Sequence, residues 1–208
     1  MALPGDRIAR ILTVVLCLAL AGPVAHAADL QTQTIALLRH REKPPAGLGQ
    51  LDCQGLNRAL ALPPVLARLF GRPAAIFAPN PATKAHDPGG AFDYVRPLAT
   101  IEPTAIRLGM PVDASVGFTD TDGLQRRLDE PHLRNTLVFA AWEHKRIVTI
   151  ARALMARHGG ESDSVPAWHD DDYDSIYIVR IVSTGDRAKA NFEHVHQGLN
   201  GQPRNCPG

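Results

Sequence analysis

The sequence predicts an α/β fold built on a mainly parallel sheet, and three observations carry that expectation. Apolar runs of strand length alternate along the chain with segments whose apolar residues recur at helical spacing. The run at 135–142 is continuously apolar from Leu137 onward, as a strand covered on both faces requires. The breaks between runs are rich in Pro and Gly, and 208 residues supply ample core for one domain, with no internal repeat.

The elements follow in order. Residues 1–27 read as a secretory signal: Arg7 and Arg10 make a basic start, 11–21 an apolar stretch, and Ala25-His26-Ala27 a small-x-small cleavage site. The apolar stretch is too short to span a bilayer comfortably, so 28–208 is expected to be an exported domain, periplasmic or secreted, without stable membrane insertion. Cys17 follows Val14-Val15-Leu16 and lacks the small residues that precede a lipidated cysteine. The first strand, Ile35-Ala36-Leu37-Leu38, runs into five consecutive ionisable residues, Arg39-His40-Arg41-Glu42-Lys43. Burying such a cluster unpaired carries a large desolvation cost, and a strand end in an α/β sheet is where ligands bind, so the cluster marks a site.

The Pro/Gly-rich stretch 44–49 is a loop. Asp52 is the expected N-cap of a helix with Leu56, Ala59 and Leu60 along one face, and Pro63-Pro64 is expected to interrupt it and begin another. Residues 74–78 form a second buried strand, 80–93 a loop, and 94–105 a segment carrying Arg96 with Thr104-Ala105 beyond it. A helical segment reaching Asp129 follows the acidic stretch 119–123. The strand at 135–142 ends in Glu143-His144-Lys145-Arg146, after which Ile147, Ile150, Ala151, Leu154 and Met155 repeat at helical spacing up to a Gly159-Gly160 stop. An acidic loop at 168–174, a strand at 175–182 and an edge strand carrying His194 and His196 complete the chain.

Four features occur in one order: a strand ending in Arg39-His40; a capped segment with Asp52, Gly55 and Ala59; Arg96 ahead of Thr104-Ala105; and a strand followed by His144 and a helix. In that order the chain resembles the histidine phosphatase (phosphoglycerate mutase-like) superfamily across most of 35–155. The resemblance implies a three-layer α/β/α fold with a mainly parallel sheet, and a metal-independent phosphomonoester hydrolase acting on a small phosphorylated substrate. It implies His40 as the nucleophile that becomes phosphohistidine, Arg39 and Arg96 as phosphate ligands, and His144 as a second donor to the phosphoryl oxygens. Guanidiniums would take the place of a metal clamp, so neither a cation nor another cofactor is required. The leaving alkoxide needs a proton, for which Glu143, beside His144, is the first candidate; Glu42, Asp120 and Asp122 compete. Arg41 stands where the family has glycine, a residue that tolerates conformations arginine does not. The alternative is a catalytically silent phosphate- or anion-binding protein of the same fold. A mutase is disfavoured, because export removes the protein from a sugar-phosphate pool.

Composition narrows the partners. Lys and Arg total 22 against 21 Asp and Glu, and loss of Asp6, Arg7 and Arg10 with the signal leaves a near-neutral chain. Nothing in that balance calls for nucleic acid or an anionic membrane, so anion recognition must be local. Two cysteines remain after cleavage, Cys53 and Cys206, and in an oxidising compartment they either pair within the chain or stay as isolated thiols. A metal site would rest on His194 and His196, which share one strand face, with His169 and the acidic residues 170–172 near in sequence; solvated histidines are the expected reading. The sequence has no Gly-x-Ser-x-Gly elbow, P-loop or dinucleotide fingerprint.

Overall fold

The computed structural model describes residues 29–208; the expected signal at 1–27, with Cys17, lies outside the described residues. The continuous apolar runs form the centre of a five-stranded sheet. β1 (Leu30–Arg39) lies between β5 (Leu137–Trp142), to which it is parallel, and β6 (Ser175–Thr184), to which it is antiparallel. β2 (Ala75–Phe77) extends the parallel side beyond β5, and β7 (Arg187–His196) is the edge strand beyond β6, giving the order β2-β5-β1-β6-β7.

Alternation along β1 builds the layers. Ile35 and Leu37 face a core shared with α3 (Thr121–Leu128) and α4 (His144–Arg157) through Leu124, Ile147, Ile150 and Leu154. Ala36 and Leu38 face the opposite core, made by Leu62 and Leu66 of α1 (Cys53–Phe70) and Ile101 and Ala105 of α2 (Arg96–Leu108). The result is the expected three-layer α/β/α sandwich, with the strand before the last reversed in direction.

Two local expectations are corrected. α1 runs unbroken through Pro63 and Pro64. Leu62, Val65 and Leu66 are buried around that pair, and their packing outweighs a helix penalty of roughly 3 kcal/mol per interior proline. The segment 80–93, read as a loop, contains a hairpin of β3 (Lys84–Asp87) and β4 (Gly90–Asp93) turning at Pro88-Gly89. Four-residue strands are too short to show a period in sequence.

Cys53 and Cys206 are joined in a disulfide that fixes the C-terminal tail to the start of α1, where Asn57 Nδ2 also donates to the carbonyls of Pro203 and Asn205 (2.9 and 2.7 Å). Among the described residues no helix is long and apolar enough to cross a membrane.

Candidate active site

The register of the parallel pair sets the site. Arg39 is level with Trp142, so His40 and the pair Glu143-His144 leave the carboxyl ends of neighbouring strands side by side, and His40 N donates to Trp142 O (3.0 Å). α2 joins them because the amides of Val95 and Arg96 both donate to Gly49 O (3.1 and 3.0 Å), which pins its first turn above the loop that follows β1. Pro97 in that turn lacks an N–H where none is needed.

His40 is buried, and its Nδ1 lies 2.8 Å from Arg41 O. A carbonyl only accepts, so Nδ1 carries the proton and Nε2 presents its lone pair. Burial pushes the imidazole pKa well below its usual value; the Arg41 carbonyl opposes this, and the charges of Arg96 and Arg39 add to it. His40 is therefore a neutral imidazole with a free Nε2, the form in which histidine is a nucleophile.

The two guanidiniums flank it in different ways. Arg96 is 4 % exposed, stacks on the Tyr94 ring (4.7 Å), and gives Nη1 and Nη2 to Asp87 (2.6 and 3.2 Å). Asp87 also accepts from Gly49 N and Lys43 Nζ; burial alone would raise its pKa, but Arg96, Gly49 and Lys43 together hold it at about 2. Arg39 stacks on Tyr173 (4.0 Å) and commits Nη1 to the carbonyls of His169, Asp170 and Asp172. In both arginines Nε is buried without a partner. The donors left over on each side chain are those on the Nε side, which suits a second, side-on acceptor.

His144 opens α4 and Glu143 caps it, accepting from Arg146 N (2.9 Å). His144 Nε2 meets Asp170 Oδ1 at 2.7 Å, and Nδ1 lies 2.8 Å from Glu143 Oε1, close enough for ion pairing but out of hydrogen-bond geometry. Asp170 thus ties the two halves of the site together, its carbonyl on Arg39 and its carboxylate on His144.

Glu143, the first candidate for the acid, sits at the N-terminus of α4 as its cap. Burial raises the Glu143 pKa, but His144 and the amides of Lys145 and Arg146 outweigh it and hold the carboxyl at about 2, so it is an ionised cap without a proton to give. Its competitors are also occupied: Glu42 pairs with Arg58, Asp120 caps α3 through Gly123 N, and Asp122 lies in the first turn of that helix. Of the threonines that follow Arg96 on α2, Thr100, one turn before Thr104, is the one whose Oγ1 accepts from Arg41 N (3.1 Å). Arg41 has no positive φ, so arginine fits the position without strain. At the metal candidate, Ser175 Oγ and His194 Nε2 are 2.6 Å apart, and no set of three or more His, Cys, Asp or Glu side chains converges among the described residues.

Five residues escaped the sequence reading: Tyr94, Asp87, Thr100, Asp170 and Tyr173. Thr100 had a signal, standing four residues after Arg96 and so on the same helix face. The others act through approach in space, which spacing does not encode.

Sheet order and layers define a phosphoglycerate mutase-like fold. Solved structures agree at the level of fold. A protein provisionally named phosphohistidine phosphatase SixA, from Nakamurella multipartitia, superposes with a TM-score of 0.54 at 13% identity, over 82% of this chain and 98% of that one. A mycobacterial glucosyl-3-phosphoglycerate phosphatase gives 0.51 at 14% identity, over 77% and 97%. No protein-family model matches the chain, and no curated protein matches its sequence.

Proposed function

We propose that the chain is a histidine phosphatase: a metal-independent phosphomonoester hydrolase that works through phospho-His40. The observation that carries the reading is the state of His40, a buried neutral imidazole with Nδ1 tied to Arg41 O and Nε2 free, beside two arginines with unpartnered Nε donors. Nε2 attacks phosphorus, the P–N bond forms, and the ester P–O bond breaks, the departing oxygen taking its proton from water. Water then cleaves the P–N bond and releases phosphate. Arg39, Arg96 and His144 balance charge on the non-bridging oxygens throughout. Phosphatases among the fold neighbours support the reaction class, and the signal-like sequence of 1–27 supports a reaction outside the cytoplasm.

The test is mass spectrometry of the protein after exposure to a reactive phosphate donor, handled at alkaline pH to preserve phosphohistidine. A phosphate on His40, with EDTA-insensitive hydrolysis of an aryl phosphate lost in His40→Ala, is the expected result. A second reading, a silent anion-binding protein, is favoured by one feature: Asp87 and the 169–172 carbonyls already engage both arginines. Phosphate binding without adduct or turnover would select it.

A further inference from the structure

The site holds one polar group that the proposed reaction has not used. Tyr94 is 1 % exposed, and its ring is fixed on three sides: edge-on to His40 (5.9 Å), against Phe118 (4.7 Å), and beneath the Arg96 guanidinium (4.7 Å). Its backbone is held as well, with the amide donating to Pro81 O (2.8 Å). The hydroxyl is buried and has no hydrogen-bond partner; Arg96 lies near it, but out of hydrogen-bond geometry. A buried hydroxyl left unpaired forfeits its hydration with no hydrogen bond in return, which a fold does not ordinarily sustain without something to gain. The unpartnered Nε atoms of Arg39 and Arg96 stand in the same constellation.

Three orphan donors beside one nucleophile describe an acceptor with several oxygens. We infer that Tyr94 is a further catalytic residue, whose phenolic hydroxyl donates a hydrogen bond to a non-bridging oxygen of the phosphoryl group transferred to His40. This rests on the phosphoryl-transfer reading above. Burial, partly offset by Arg96, pushes the phenol pKa well above its usual value, so the proton stays on the oxygen at any working pH. A group so weakly acidic is a poor proton donor to a leaving group and a dependable hydrogen-bond donor to an anion.

The experiment is Tyr94→Phe, which keeps the ring and its packing and removes only the hydroxyl. With its melting temperature kept close to that of the unaltered protein, the variant should lose roughly 10- to 100-fold in kcat/KM, the range for one hydrogen bond to a charged group. The loss should be equal for p-nitrophenyl phosphate and phenyl phosphate, because a non-bridging contact does not sense the leaving group. Inorganic phosphate titrated calorimetrically should bind about tenfold more weakly. Unchanged kcat/KM and phosphate affinity overturn the inference, and so does a loss confined to phenyl phosphate, which assigns the hydroxyl to the leaving oxygen. If the unaltered protein turns over no ester, the hydrolase reading fails by itself, and the phosphate titration alone decides Tyr94.

Discussion

Asp87 occupies the end of Arg96 that an incoming phosphoryl group would otherwise have to itself, so Asp87→Asn separates what the pair does for folding from what it does to binding. Removing one member of a buried ion pair typically costs about 3–5 kcal/mol, because the other charge is left without compensation. Both side chains are buried, at 4 % and 3 % exposure, so the full range applies in principle. Asn retains one acceptor for the Arg96 fork and keeps the shape that fills the space against Gly47, which brings the expected loss to roughly 2–4 kcal/mol. At about 2–4 °C per kcal/mol for a domain of this size, the melting temperature should fall by about 4–16 °C. Binding should move the other way. A carboxylate about 6 Å from a bound phosphate repels it by about 3 kcal/mol at an effective dielectric of about 20, and screening reduces this to about half, so phosphate affinity should rise about tenfold. Differential scanning fluorimetry and phosphate calorimetry on the same sample read both effects. A variant that is less stable and binds phosphate no more tightly would falsify the assignment of Arg96 as an anion ligand, leaving the pair a purely structural clasp.

Other perturbations follow from the same geometry. Reduction of Cys53–Cys206 releases a closure spanning 153 positions, worth at most about 5 kcal/mol in the chain-entropy model, so dithiothreitol should lower the unfolding midpoint and expose the tail to carboxypeptidase. The folded pKa of His40 lies below its unfolded value of 6.5, so the unfolded chain takes the proton first. Its contribution to stability is therefore complete above 6.5 and is lost as pH falls from there; urea midpoints should decline below pH 6.5, and less steeply in His40→Asn. Glu143 adds a second decline between 4.5 and about 2, worth up to roughly 3 kcal/mol, which Glu143→Gln should remove.

What could be read from sequence was what repeats or accumulates. β1 and β5 were legible because strands covered on both faces carry unbroken apolar runs, and Arg39, His40 and His144 were legible because each sits within two residues of such a run's end. α1 was legible at Asp52, whose side chain accepts from Gly55 N, and was misread at Pro63-Pro64 because burial by distant residues does not show in a local window. At Glu143 the sequence shows only a carboxyl beside His144; the turn into α4, which aims that carboxylate at the helix amides and favours the ionised form, is visible in the structure alone. Asp87 and Tyr94 were out of reach, since a short hairpin and an unpartnered hydroxyl acquire meaning only from the side chains they approach.

Arg41 follows His40 directly, and its surroundings say what its side chain does there. Its side chain is fully buried, with Nη1 on Tyr173 O (2.8 Å) and with Nε and Nη2 unpartnered. Burial and the nearby Arg58 lower its pKa to about 9, against the partial compensation of Glu42 and Asp174. Gly55 makes room for this segment: a Cβ there would lie 2.4 Å from Glu42 O and 3.2 Å from Arg41 Cβ. Arg41 thus holds the backbone of Tyr173, whose ring in turn stacks on Arg39. A poorly compensated buried charge is a burden on stability, so Arg41→Met, similar in length and uncharged, should leave stability unchanged or raise it by about 1–2 kcal/mol. Loss of the Tyr173 anchor should at the same time loosen Arg39, raising KM for an aryl phosphate several-fold with little change at His40. Chemical denaturation paired with steady-state kinetics separates the two effects. A variant destabilised by 3 kcal/mol or more with unaltered KM would show that the charge of Arg41 is well compensated and that Tyr173 needs no such anchor.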